Sequence, residues 1–317
     1  MLLIVMLTAC GELTDEAEKT FHHDDGGVDA ASISADASIA IVSNLSNGIS
    51  VWDLASNTKR YVWNQGDEGN LVVTIHIAYD NSYAVTSDQE AFVLWNLTNG
   101  EPEGFWRIDE SNIRDIAVTN QGLGVLVGRS NGKVMYFEPQ TGRRLEFLGH
   151  TEKINSIDIS PNGFYALSGG NDYVAYLWDT RSGQVIYKFE HSSRVTKVVL
   201  DDEGRFAFTA DSKRDARIWD LSTGQVISYL HYFERQKIFS TAVFSKDGKY
   251  LVTGSPARRL NLWDVQTGEE IKSWRVTPRA GTRPQTAVVY AVGFWNDNKV
   301  ISESSSGLAE IWPIQSN

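Results

Sequence analysis

The residues of this 317-residue chain that could do chemistry are few and scattered. Six histidines stand at positions 22, 23, 76, 150, 191 and 231. No two of them share the spacing, or the local Asp/Glu support, that builds a zinc site. Neither a nucleophile elbow, a phosphate loop nor a Gly-rich dinucleotide fingerprint occurs. Acidic residues sit mainly in turns, as in Asp201-Asp202-Glu203. They read as solvated turn formers in preference to a calcium-binding turn. Ten tryptophans could offer a stacking surface to a sugar or a cofactor, but their regular period marks them as core. The expectation is a chain without catalytic residues, metal or cofactor, and not an enzyme. The single cysteine, Cys10, excludes an internal disulfide framework.

The elements that must position these residues follow from a repeat. One unit recurs: an alternating apolar strand, a turn, a second strand with small residues, then apolar residues ending in Trp-Asp. The ends fall at Trp52-Asp53, Trp95-Asn96, Phe137-Glu138, Trp178-Asp179, Trp219-Asp220, Trp263-Asp264 and Trp312-Pro313. A period of about 40–45 residues with this dipeptide is the signature of a β-propeller. The clearest unit runs from Gly149 to Asp179, with strands predicted over 154–160, 164–168, 174–178 and 184–189. Ser160-Pro161-Asn162-Gly163 and Thr180-Arg181-Ser182-Gly183 supply the turns, because Pro fixes φ and Asn-Gly tolerates φ > 0. Five residues after Trp312 cannot make a fourth strand. Ala17 to His23 aligns with Ile186 to His191, so an N-terminal strand is expected to complete the seventh blade and remove an exposed edge. The predicted fold is all-β: one seven-bladed propeller of four-stranded antiparallel blades over residues 17–317, its ring closed by the N-terminal strand.

This unit resembles the WD-repeat family across about residues 17 to 316. The resemblance implies a structural tetrad at His150, Ser168, Asp172 and Trp178, in which His bridges Asp and Ser while Ser reaches the indole N–H. Lys213 and Ala257 stand where that pattern wants Asp in the next two blades. Only blade 4 is expected to carry the full set, with the others held by core packing.

The opening Leu7-Thr8-Ala9-Cys10, after an apolar run, resembles the lipobox of bacterial lipoproteins. That resemblance implies a signal peptide over 1–9, a lipidated Cys10 and a tether over 10–16. Gly11 after the Cys is similar to the outer-membrane class, which implies a lipid-anchored protein on the periplasmic side. The basic n-region that a secretory signal wants does not precede Leu2. If the segment is fortuitous, a cytoplasmic scaffold is the alternative.

The net charge of −11 argues against nucleic acid as a partner. Positive charge is nevertheless concentrated. In a propeller the b–c and d–a loops share one face, the top. There blades 5 to 7 place Lys213, Arg214, Arg235, Lys237, Arg258, Arg259, Arg279 and Arg283, with Tyr232 and Phe233 among them. No acidic residue occurs from Ile271 to Asn296. Asp211 and Asp215 offset part of this charge. Two readings stand: a sector that attracts an acidic protein partner, or loop residues that keep the surface soluble. The expected role is a non-catalytic protein-interaction scaffold. The rivals are an accessory lipoprotein of outer-membrane assembly, and a ligand-binding or catalytic propeller using its central channel. Carboxylates or His gathered at the channel mouth would favour the last, and the sequence offers no such cluster.

Overall fold

The computed structural model describes residues 16–65, 72–232, 238–281, 283–296 and 298–314. Their strands form seven antiparallel four-stranded sheets. Blades 1 to 6 occupy residues 30–63, 74–107, 113–147, 154–190, 195–229 and 241–275, each ordered a-b-c-d from the axis outward. Blade 7 takes strands a to c from Val289–Asn296, Lys299–Ser304 and Leu308–Pro313. Its strand d is Lys19–His22, which pairs antiparallel with strand c from Lys19 opposite Ile311 to His22 opposite Leu308. The expected closure of the ring is therefore observed. Because strand d runs from bottom to top, the described chain starts on the bottom face, where Glu18 accepts a 2.6 Å hydrogen bond from Lys299.

Blade 4 shows why these sequences make blades. Asp179 accepts the N–H groups of Arg181 and Ser182, and Gly183 takes φ +75° to close the c–d turn. Strand c then buries Ala175, Leu177 and Trp178 while strand d leaves Val185, Ile186 and Lys188 in water. Alternation fades toward the axis because strands b and c are covered on both faces by neighbouring blades. Core clusters accordingly lie between blades: Trp95 packs with Trp63, Ile41 and Ile49, while Phe137 packs with Phe92 and Val85. A β-bulge precedes Trp52, Trp95, Trp178, Trp219 and Trp263 on strand c, setting the register to strand d.

Candidate functional site

Three places gather polar side chains: the junction beneath each d–a loop, the central channel, and the top of blades 5 to 7.

At the first, two residues after the last inward aromatic or Leu of strand d, the chain buries one side chain against the next blade. In six of the seven blades this position is His23, Gln65, Ile108, His191, Tyr232 or Val276, of which Ile108 alone is only half-buried; His150 fills it with one extra residue. In blade 4 the tetrad is as expected. His150 Nδ1 lies 2.9 Å from Asp172, His150 Nε2 lies 2.9 Å from Ser168 Oγ, and the Trp178 indole N–H donates to Ser168 at 3.3 Å. Burial pushes the Asp172 carboxyl up, but the hydrogen bond and charge of His150 and the Thr151 N–H outweigh it and hold it below the usual range.

The tetrad is not confined to that blade, which corrects the expectation that packing alone holds the rest. In blade 5, Thr209 receives the Trp219 N–H at 2.8 Å and lies 2.9 Å from His191 Nε2. Asp215, not position 213, faces His191 Nδ1 at 3.4 Å. In blade 2, Thr86 receives the Trp95 N–H at 2.8 Å and donates to Gln65 at 2.6 Å, so Gln replaces His. Thr253 and Ser302 accept from Trp263 and Trp312 at 2.9 and 3.0 Å. The signal available in the sequence was a Ser or Thr ten residues before the Trp, or nine in blade 2. Blade 1 has Val42 there. His23 stacks on Trp52 at 4.6 Å, and neither His23 Nε2 nor Trp52 Nε1 finds a partner among the described residues. His23 Nδ1 turns instead to Glu303 of blade 7, 2.9 Å away and fully buried. Blade 3, with Phe137 and no indole, buries Arg129 between Glu110 and Glu146, with Lys133 beside them. Among the described residues His191, Asp211 and Asp215 come close enough for a metal. Arg217 already pairs with Asp215, and three backbone N–H groups with Asp211, which makes this a structural junction.

The channel carries a cluster that the sequence did not reveal. His76, Asp115, Asp158, Lys197 and Tyr290 line a cavity of about 280 Å³. It meets a bottom vestibule of about 890 Å³ at Tyr79 and Asp202. Inner strands of adjacent blades share no backbone ladder, so their N–H groups need other acceptors. His76 Nδ1 accepts from Val118, Asp115 from Ile157, Ser156 from Val198 and Asp158 from Leu200, each reaching to the next blade. Burial lifts the Asp158 carboxyl to about 6. Burial, with help from the charge of Lys197, lowers His76 to about 4. At the channel mouth, the partial loss of solvent within the ring, and then the charges of Asp158, Asp201 and Glu203, raise the Asp202 carboxyl. A polar residue between two apolar ones at mid-strand (Ile75-His76-Ile77, Ile157-Asp158-Ile159) was the legible sign.

On top of blades 5 to 7 the predicted sector divides. Arg214 and Arg258 fold back and donate through Nε and Nη2 to the carbonyls of Tyr232 and Val276. Arg279 donates to the Gly26 carbonyl. Tyr232 is buried against Trp263 and Phe239. These four side chains are engaged within the fold. Lys213 and Arg283 are exposed and Arg259 is half-buried. Asp211 and Asp215 do not neutralise Lys213 or Arg214 by ion pairs; they are spent on backbone N–H groups, His191 and Arg217. Phe233, Arg235, Lys237 and Cys10 lie outside the described residues.

The circular array of seven four-stranded blades, most of them centred on a Trp, is a β-propeller. The family described as "WD domain, G-beta repeat" matches residues 142–179, 183–220 and 228–264, each match running from strand d of one blade to strand c of the next. The chain is a seven-bladed propeller containing WD40 repeats. It is 28% identical over 141 residues to the WD repeat-containing protein SL1-17 of Schistosoma mansoni, covering 43% of this chain and 45% of that protein. It is 25% identical over 140 residues to autophagy-related protein 16 of Arabidopsis thaliana, covering 44% of this chain and 27% of that one. The matches thus span less than half the length of either relative.

Proposed function

We propose that this propeller is a non-catalytic platform for protein partners, and that its top face over blades 5 to 7 takes an acidic one. The observation that carries this reading is the division of the sector. Lys213, Arg259 and Arg283 have no carboxylate partner among the described residues, on a chain of net charge −11. Unpaired cations on a rigid ring of loops steer an acidic surface and orient it. Charge reversal of Lys213, Arg259 and Arg283 to Glu leaves the structural arginines intact. It is expected to abolish recovery of cross-linked partners from host extracts; unchanged recovery refutes the assignment of this face.

Anchoring belongs to the same proposal. Residues 11 to 16 extend about 20 Å at most, and the described chain starts at the bottom face, so an acylated Cys10 holds that face to the membrane and turns the top away. Intact mass and membrane fractionation of protein made from the longest upstream start, against Cys10→Ala, test it. Soluble, unprocessed protein removes the anchor and directs the search to cytoplasmic partners.

The channel favours a second reading, a small ligand held near His76 and Asp158, whose side chains approach to 4.0 Å. The engagement of Asp115 and Asp158 by neighbouring N–H groups favours a latch between blades over a reactive centre.

A further inference from the structure

Blade 6 contains a feature that its own packing does not account for. Arg259, at the head of strand c, lies directly opposite Arg275, at the end of strand d. Directly opposed residues of an antiparallel pair project from the same face, and like charges there repel. Equivalent pairs in other blades avoid this: Val174 faces Glu190, Ala91 faces Arg107 and Leu308 faces His22. Arg275 is exposed and Arg259 half-buried, and no ion pair satisfies either among the described residues. Two acidic side chains of this region are engaged by other partners. Glu270 accepts from Asn261 at 2.9 Å, and Glu310 accepts from Thr277 Oγ1 at 2.6 Å.

The turn that delivers the pair is also fixed. Arg258 takes φ +65°, an uncommon conformation for a residue with a side chain, and its guanidinium grips the Val276 carbonyl one residue past Arg275. Arg258 thus ties the two strand ends together and acts as a positioning residue. Burial, and then the charge of Arg275, pull its guanidinium below the ordinary value, an independent sign of crowded positive charge.

We propose that Arg259 and Arg275 form the anchor of the top-face site, each clasping one of two neighbouring carboxylates on an Asp/Glu-rich segment of a protein partner. This rests on the scaffold reading above and names the chemistry its partner must present. Guanidinium forks match carboxylates in paired, planar geometry, so two adjacent forks select two adjacent acids over a single one. A polyanion such as nucleic acid is disfavoured because the acidic remainder of the surface would meet most of its length.

The test uses the full chain and a fluorescent 12-residue Gly/Ser peptide with a central Glu-Asp pair, read by anisotropy at low salt. Peptides with one acid, and with a phosphoserine in place of the pair, are the comparisons. The two-acid peptide is expected to bind at least tenfold better than the one-acid peptide, and Arg259→Gln or Arg275→Gln to lower its affinity by about tenfold, while Lys246→Gln, exposed in the a–b turn on the opposite face, changes it less than threefold. A second variant does not depend on the probe. Arg275→Glu converts repulsion into a cross-strand ion pair, so it should raise the melting temperature of the free protein while losing the peptide. A lowered melting temperature in Arg275→Glu, absence of peptide binding up to millimolar concentration, or equal binding by the Gln variants overturns the proposal. Tenfold preference for phosphoserine overturns it in favour of a phosphate site. In all these cases loss of cross-linked partners on reversing Lys213, Arg259 and Arg283 together still decides the scaffold reading separately.

Discussion

In blade 1 the indole N–H of Trp52 and Nε2 of His23 are both buried without a partner among the described residues, and a single hydroxyl could serve both. Register identifies where it belongs. Ala40 faces Trp52 as Ala166 faces Trp178, so Val42 occupies the place of Ser168. Val42→Thr keeps the volume and the β-branched shape. Its oxygen would accept from the indole and meet the imidazole, as Thr209 does in blade 5 at 2.8 and 2.9 Å. Each such bond contributes about 1 kcal/mol net, and each orphan it relieves costs about 1–3 kcal/mol. Against this, burying a new hydroxyl costs about 1–3 kcal/mol. The balance is a gain of about 1–2 kcal/mol, or a rise of roughly 2–3 °C in melting temperature for a chain of 317 residues. Thermal unfolding followed by circular dichroism measures it, with Ser168→Val as the converse substitution, expected to lose about 2–3 kcal/mol. If Val42→Thr leaves the midpoint unchanged or lowers it, the argument from equivalent positions fails.

Arg129→Met should cost only about 1 kcal/mol or less, because Glu110 and Glu146 reach water and keep Lys133 as a partner; urea unfolding reads this directly. Gly27→Ala should destabilise by about 2–3 kcal/mol, because φ is +85° and a Cβ would stand 2.9 Å from both Arg279 and the Ser305 carbonyl. Gly142→Ala, with φ +74° and nothing within 4 Å, should cost only about 1 kcal/mol by the same assay. Acid should also act through the channel, where groups titrate in opposite senses. His76 is held near 4 in the fold and near 6.5 unfolded, so its own contribution weakens folding as pH drops from 6.5 toward 4, while Asp158 and Asp202, raised by burial, take up protons in the fold first and strengthen it. His76→Gln keeps an acceptor for the Val118 N–H and should shift the slope toward greater stability in acid. With water in the channel the difference is about 1–2 kcal/mol. Equal slopes in variant and wild type would remove His76 from the account.

The sequence by itself determined the number of blades, their boundaries and the strand that closes the ring. It did so because each blade needs the same turns and the same Trp at nearly constant spacing, and these are local requirements. The resemblance to the WD-repeat family added the tetrad of blade 4, where all four residue types lie within one repeat. The sequence did not disclose the junctions of blades 1, 2 and 5, because a hydroxyl, an amide or a carboxylate from a shifted position satisfies the same buried groups. Gln65 can stand for a histidine only where Thr86 and Trp95 are already placed. Nor did it disclose the channel, since His76, Asp115 and Asp158 lie some 40 residues apart and meet only when blades close around an axis. The Arg259–Arg275 pair depended on tertiary structure most of all. Counted outward from the c–d turn without a bulge, Arg259 would face Trp274. The bulge between Leu262 and Trp263 adds one residue and turns Arg275 to the same face instead.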